Sequence, residues 1–381
     1  MKLLALLLPF LLLSACSDST QDIKVQKTVL GQSLFFDTIL SKNNTQSCAQ
    51  CHNPAHGFID DRDNGVAGMA SLGDDGKSIG DRNAPTAAYA MLSPEFHFDK
   101  KSKEWIGGQF YDGREADLAG QAGGPPTNPV EMGMPSKQAL VDRFKNHPAY
   151  SQQFKDIFGD DIFNNADKAY GAMAQSIAEF EKTETFAPFD SKYDRYLKGE
   201  YELTDLEDLG RSLFFSNNNT NCSTCHQLKS RDDAMGETFT NYEYHNIGVP
   251  TNIALRQANG VDVATIDHGF LSNPQINSNE HDGKIKVPTL RNIAVTGPYM
   301  HNGVFAKLST VVEFYDKYIN KERVNNPETN QPWADAEVPN TVNNDELKKG
   351  KKLSDRKVQA LVVFLNTLTD KRYEHLISKD N

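Results

Sequence analysis

The chain has 381 residues, 51 of them acidic and 40 basic, for a formal net charge of −11. That length suits two domains, and a hydrophobic share of 38% with 21 phenylalanines can fill two small cores, which excludes a disordered chain. The acidic balance speaks against nucleic acid as a partner.

Residues Met1 to Ala15, MKLLALLLPFLLLSA, put one lysine before a leucine-rich run too short to cross a bilayer, the pattern of a signal peptide. The ending Leu13-Ser14-Ala15-Cys16 resembles the lipobox of bacterial lipoproteins, which implies that Cys16 becomes the acylated first residue of a periplasmic, membrane-anchored chain. Cleavage there removes Lys2 and takes the charge from −11 to −12. Next, Val25 to Phe36 places Val29, Leu30, Leu34 and Phe35 on one helical stripe.

The stretch from Leu30 to His52 ends in C-A-Q-C-H and is repeated from Leu209 to His226. LGQSLFF becomes LGRSLFF, Asn-Asn-Thr follows in both copies (Asn43 to Thr45, Asn218 to Thr220), and C-S-T-C-H closes the second. The repeat implies two copies of one cofactor-holding unit. Thiols separated by two residues lie on one short turn, where both can form thioethers to a single haem while the adjacent imidazole ligates its iron. A zinc site or a redox dithiol also uses C-x-x-C, but neither requires His immediately afterwards. The spacing points to two covalent c-type haems, one on Cys48, Cys51 and His52, the other on Cys222, Cys225 and His226. The 5 cysteines then divide into one for lipid and the rest for haem, with none left for a disulfide.

Asn53 to Arg82 is rich in Gly and Asp and reads as a long functional loop. Ser136 caps a helix ending near His147-Pro148, a second helix runs to Gly159, and a third spans Ala166 to about Thr183. Thr204 with Glu207 forms a capping box before the second motif, and Thr310 with Glu313 starts the helix that carries Tyr315. Leu271 to Lys286 and Asn320 to Lys352 read as polar loops. Val358, Leu361, Val362, Leu365 and Leu368 form a terminal amphipathic helix after Ser354.

The segments RNAPT (Arg82 to Thr86), QFYDGREADLAGQAGGP (Gln109 to Pro125), NPVEMG (Asn128 to Gly133) and VPTLRNIAVTGPYMHNG (Val287 to Gly303) occur together and in this order. With the two haem motifs they make the chain, from about Leu30 to Leu368, strongly similar to the bacterial di-haem cytochrome c peroxidases and their MauG relatives. The resemblance implies that Glu131 lies over an open face of the first haem as the acid-base group of peroxide cleavage, with Gln121 orienting water or peroxide. Many members carry a distal His in the loop after the first motif. This chain has no His between Gly57 and Phe96, His56 is too near His52 to reach the opposite face, and Met69 reads as packing. The aromatic before Asp-Gly-Arg, a Trp electron relay in the family, is Tyr111 here, whose oxidation normally requires loss of its proton; Trp105 is the other aromatic at hand.

For the second haem the peroxidases use a Met and the MauG branch a Tyr. Counting fourteen residues from His301 gives Tyr315, with Tyr318 one turn on as the alternative. A phenolate is hard and anionic and favours the higher oxidation states of iron, whereas a thioether favours ferrous iron. Asn83, Thr296 and Pro298 match positions that hold a calcium between the haems in the family, an ion suited to oxygen ligands. His301 and His245 read as satisfied interior histidines.

The expectation is a mostly α-helical chain of two cytochrome c-like domains with few short strands. A signal peptide covers 1–15, a peroxidatic haem domain 16–192 and an electron-transfer haem domain 193–381. The implied activity is a MauG-like oxidoreductase that reacts with hydrogen peroxide at the first haem, exchanges electrons with the second, and oxidises a protein or external substrate. The alternatives are an ordinary cytochrome c peroxidase fed by a small cytochrome or cupredoxin, and a non-enzymatic di-haem electron carrier with a sixth ligand on both irons.

Overall fold

Each copy of the Leu-Gly-x-Ser-Leu-Phe-Phe repeat lies on a helix that crosses another at its glycine. The computed structural model describes residues 18–229, 231 and 233–378, so the predicted signal peptide and Cys16 lie outside the described residues. In chain order the helices are α1 (Asp18–Phe36), α2 (Cys48–Cys51), α3 (Leu118–Ala122), α4 (Lys137–Asn146), α5 (Pro148–Phe158), α6 (Ala166–Glu181), α7 (Lys192–Leu197), α8 (Asp205–Phe214), α9 (Ile253–Asn259), α10 (Leu308–Asp316), α11 (Asn344–Leu347) and α12 (Asp355–Asn366). Helix α1 packs on α6, and α8 packs on α12. A Cβ on Gly31 would fall 1.8 Å from the Ser176 carbonyl oxygen of α6, and one on Gly210 1.9 Å from the Ala360 carbonyl oxygen of α12. Only a residue without a side chain lets these backbones approach so closely.

Two hydrophobic cores form around the crossings. The first includes Leu34, Phe35, Phe144, Met173, Ile177 and Phe186; the second includes Tyr193, Phe214, Phe239, Phe314, Leu361 and Phe364. The strands are short: β1 (His97–Asp99) pairs with β2 (Glu104–Ile106), β3 (Tyr244–His245) with β4 (Ile285–Lys286), and β5 (Asn325–Asn326) with β6 (Gln331–Pro332), all antiparallel.

The capping residues lie largely where the sequence places them. Ser136 Oγ accepts from the Ala139 amide at 3.1 Å, Thr204 and Glu207 form a reciprocal box, and Ser354 precedes α12. Two elements differ from expectation. Helix α1 begins at Asp18, a full two turns before Val25, and its outer face leaves Val25 and Val29 about half exposed. Helix α10 begins at Leu308, so Thr310 lies inside it rather than capping it; the amides of Ala306 and Lys307 are instead taken by the carboxylate of Glu328, at 3.0 and 2.8 Å. A cap supplied from twenty residues downstream leaves no local sequence signature. The two stretches read as polar loops hold β4 and, in the second, β5, β6 and α11.

Buried ion pairs join the two halves through Arg82 and brace the second half from within through Arg291. Arg82 donates to both oxygens of Asp267 (2.7 and 2.6 Å) and to Asp112 (2.8 Å). Arg291, with no exposed side-chain surface, forms a fork on Asp194 (2.5 and 3.0 Å) and donates from Nε to the Glu237 carbonyl at 2.9 Å.

Candidate functional site

The two C-x-x-C-H motifs fold differently and end alike. The first is a single α-turn, with the Ser47 amide donating to Gln50 Oε1 at 2.5 Å; the second is a 3-10 turn entered through left-handed Asn221. In both, the histidine donates from Nδ1 to a phenylalanine carbonyl at 3.2 Å, His52 to Phe58 and His226 to Phe239. Both phenylalanines are left-handed, at φ 56 and 55°, and both are fully buried. A bulky residue seldom adopts this conformation. Here it turns the carbonyl onto the imidazole, and the surrounding core holds it. A ring whose Nδ1 carries the proton offers Nε2 to a metal, the arrangement seen behind metal-bound histidines. Burial lowers the pKa of both rings, that of His226 to about 4, so they are neutral and ligand-competent at pH 7.

Cys48, Cys51, Cys222 and Cys225 are free of disulfides. Burial raises the pKa of Cys48 and Cys222, and burial together with the charge of Asp60 pushes Cys51 up to about 11. Among the described residues no group of three or more His, Cys, Asp or Glu is placed to hold a metal ion.

Cys222, Cys225 and His226 line a cavity of about 370 Å³, within the range of cofactor pockets. Its wall includes apolar Leu290, Val312, Leu361 and Leu365, and also Tyr315. Burial and the nearby thiols of Cys225 and Cys222 raise the Tyr315 pKa, so the phenol lies on the same space as the haem motif. Tyr318 does not line it; its hydroxyl donates to the Ile247 carbonyl at 2.9 Å. These residues fit a haem: paired thiols, an imidazole with Nε2 free, apolar walls and a second oxygen donor. The cavity extends to Tyr111, Asn83, Thr296, Pro298 and His301. Asn83 is bound there through its amide, which donates to the His301 carbonyl at 2.7 Å.

Around the first motif, Glu131 lies in a turn closed by its own amide on the Asn128 carbonyl at 3.1 Å. Its carbonyl accepts from the Asp74 amide at 2.7 Å, and the Asp74 carboxylate in turn accepts from the Asn43 amide at 2.8 Å, which ties the turn to the loop before Cys48. Glu131 caps no helix. Burial raises its pKa against the opposing charge of Arg114, and its own charge is felt at the Cys51 thiol. Gln121 is on α3, whose following residues lead straight into this turn: the Met132 amide donates to the Pro125 carbonyl at 3.3 Å.

Of the remaining candidates Met69, His56 and Trp105 lie off the second motif's cavity, whereas His245 and His301 line it. Met69 Sδ accepts from Asn252 at 2.9 Å, and His56 is half-exposed beside Asp61. Trp105 stacks on Phe96 with ring centroids 4.9 Å apart, in an aromatic cluster with Tyr244 and Phe270. His245 accepts from Asn343 at 3.3 Å. His301 is buried, with its ring edge-on to Tyr111 at 6.4 Å and Nε2 3.8 Å from Asp267. Sequence reasoning missed Arg82, Arg291, Phe58 and Phe239. The first two stand inside quoted segments, RNAPT and VPTLRN, and their arginines could have been singled out. The phenylalanines follow their histidines by different spacings, so the repeat does not reveal them.

A family model described as di-haem cytochrome c peroxidase matches residues 25–202. The methylamine utilization protein MauG of Paracoccus denitrificans is 49% identical over 353 residues, 92% of this chain and 90% of that protein. The chain belongs to the di-haem cytochrome c peroxidase family. Cytochrome c peroxidase Ccp of Escherichia coli is 31% identical, covering 77% of this chain and 53% of its own. The crystal structure of the di-haem peroxidase BthA from Burkholderia thailandensis superposes with a TM-score of 0.82 at 28% identity, over 93% of this chain and 89% of that one. As a family member the chain is a mostly helical, two-haem oxidoreductase that reacts with peroxide.

Proposed function

We propose that this peroxidase is of the MauG type, with two covalent c-type haems and an oxidisable protein or external molecule as its substrate. Cys48, Cys51 and His52 would hold the first haem, with no second protein ligand to its iron; Cys222, Cys225 and His226 would hold the second, with Tyr315 as a further ligand to its iron. When bound, the first haem supplies the iron at which the O–O bond breaks, and the second supplies a further redox centre. Glu131 takes the proton from one peroxide oxygen and returns it to the other, a role favoured by a carboxyl whose pKa burial has raised. Gln121 orients the peroxide. Tyr111 passes electrons between the centres, giving up and regaining its phenolic proton. Asn83, Thr296 and Pro298 hold a calcium through oxygen atoms on the shared cavity. The chain works in the periplasm, anchored through acylated Cys16; among the described residues no helix is long and apolar enough to cross a membrane.

The observation that carries the reading is that Tyr315 shares a cavity with Cys222, Cys225 and His226 while Tyr318 is committed to Ile247. Ferric optical and electron paramagnetic resonance spectra, before and after peroxide, test it. One high-spin haem and one low-spin haem with His/Tyr ligation are expected. A His/Met spectrum at the second haem returns the enzyme to the ordinary cytochrome c peroxidases.

A further inference from the structure

Among the described residues the ammonium of Lys286, on the wall of the second motif's cavity, has no opposite charge within ion-pair distance. Strand β4 sets Lys286 directly opposite Tyr244 of β3, so both side chains leave the same face of the ladder. They meet the same turn: Tyr244 Oη donates to the Gly107 carbonyl at 2.5 Å, and Lys286 Nζ donates to the Gly108 carbonyl. Gly107 and Gly108 are both left-handed, at φ 82 and 73°, and a Cβ on Gly107 would fall 2.2 Å from the Pro94 carbonyl oxygen. The turn is therefore a fixed platform. The Lys286 amide also donates to the Tyr111 carbonyl at 2.8 Å, which sets the lysine beside the aromatic between the two centres.

Lys286 lines the cavity that Cys222, Cys225 and His226 also line. The carboxylates on that wall already have partners: Asp267 pairs with Arg82, Asp316 with Arg323, Glu337 with Arg256 and Glu346 with Lys349. Asp112, whose charge reaches Lys286, is taken by Arg82 and Arg114 at 2.8 Å each. Among the described residues no carboxylate lies within ion-pair distance of Lys286, and one of its three N–H donors is used by Gly108. Burial accordingly lowers its pKa to about 7. An ammonium kept in the interior without a counter-charge is strongly unfavourable, so a partner anion belongs on this wall. A haem brings two carboxylates.

We infer that Lys286 is the counter-cation of a haem carboxylate in the second haem's cavity and thereby sets that haem's reduction potential. The inference rests on the proposed second haem, and it makes Lys286 a positioning residue for the electron-transfer step. A fixed positive charge near the iron favours its reduced form.

The test uses the purified two-haem protein, with Lys286→Gln and Lys286→Arg compared by haem content, thermal unfolding and spectroelectrochemical titration of the second haem. Wild type should hold two haems per chain; fewer refutes the second-haem reading itself, and the inference with it, before any potential is measured. Lys286→Gln should lower the reduction equilibrium constant of the second haem about tenfold, about 59 mV for one electron, while Lys286→Arg stays within about threefold of wild type. Loss of the second haem in Lys286→Gln but not in Lys286→Arg also supports the counter-cation. An unchanged potential in Lys286→Gln with a lowered unfolding temperature overturns it, leaving Lys286 as a hydrogen bond to Gly108. Equal shifts, or equal haem loss, in both variants overturn it as well.

Discussion

The two haem-motif units use one way of holding and two ways of facing what they hold. In each, a glycine lets two helices touch and a left-handed phenylalanine presents its carbonyl to the motif histidine. In the further side chains they bring toward the motif they part. The first unit has a carboxyl, Glu131, on a turn tied through Asp74 to the loop before Cys48, whereas the second has a phenol, Tyr315, on helix α10 along the cavity of its own motif. On the proposed reading the shared parts answer to the cofactor's shape, and the unshared parts to what is asked of the iron: a base for moving protons, or a donor to the metal.

Substitutions can break this contrast. Glu131→Gln should slow the stopped-flow reaction with peroxide by about two to four orders of magnitude while leaving haem content intact. Only the ionised carboxyl is a base and burial raises its pKa, so the wild-type rate should climb as pH rises through that pKa, and the variant's rate should be flat. An unchanged rate would remove Glu131 from the mechanism. Tyr315→Met should make the second unit resemble an ordinary peroxidase, raising its haem's equilibrium constant for reduction at least tenfold; a titration identical to wild type assigns the ligand elsewhere. On the same reading the fully ferric wild type reacts with peroxide without prior reduction, because the chain has no histidine between Gly57 and Phe96 to release.

Smaller effects sharpen the comparison. Gly31→Ala and Gly210→Ala should each destabilise by about 1–3 kcal/mol or more, since the new methyl meets a backbone carbonyl that cannot swing away. Thermal unfolding of the two variants should fall by similar amounts, and tolerance at one site alone would show that the crossings are not equivalent. Glu181, buried on α6 near Cys48 with one carboxyl oxygen unpartnered, has its pKa pushed up to about 8 by burial. The folded chain keeps that proton up to about pH 8 and the unfolded chain only to about 4.5, so stability falls as pH rises between those values. Glu181→Gln should therefore raise the unfolding temperature by a few degrees more at pH 8 than at pH 5.

What the sequence disclosed was whatever is local. The C-x-x-C-H spacing, the caps at Ser136 and Thr204, and the stripe through Leu361 and Leu365 each depend on residues within a few positions, and the structure has them. The helical fold and the family were legible for the same reason, since the segments that carry the resemblance are contiguous. The Glu328 cap on α10, the Phe58 and Phe239 carbonyls and the unmatched Lys286 were not, because each depends on which distant backbone or charge folding brings alongside. Glu131 and Tyr315 stood between. The family resemblance implied their roles, but the faces they present depend on tertiary placement.

Arg82 bears on modularity. Its guanidinium serves Asp112, thirty residues on, and Asp267, 185 residues on, so one cation answers carboxylates from both halves of the chain. Splitting the protein between its cores would leave Asp267 buried without its cation in one fragment and Arg82 half-satisfied in the other, a loss larger than most single contacts can offset. A chain built by repeating one unit has in this way become indivisible, and its halves should express as stable proteins only together.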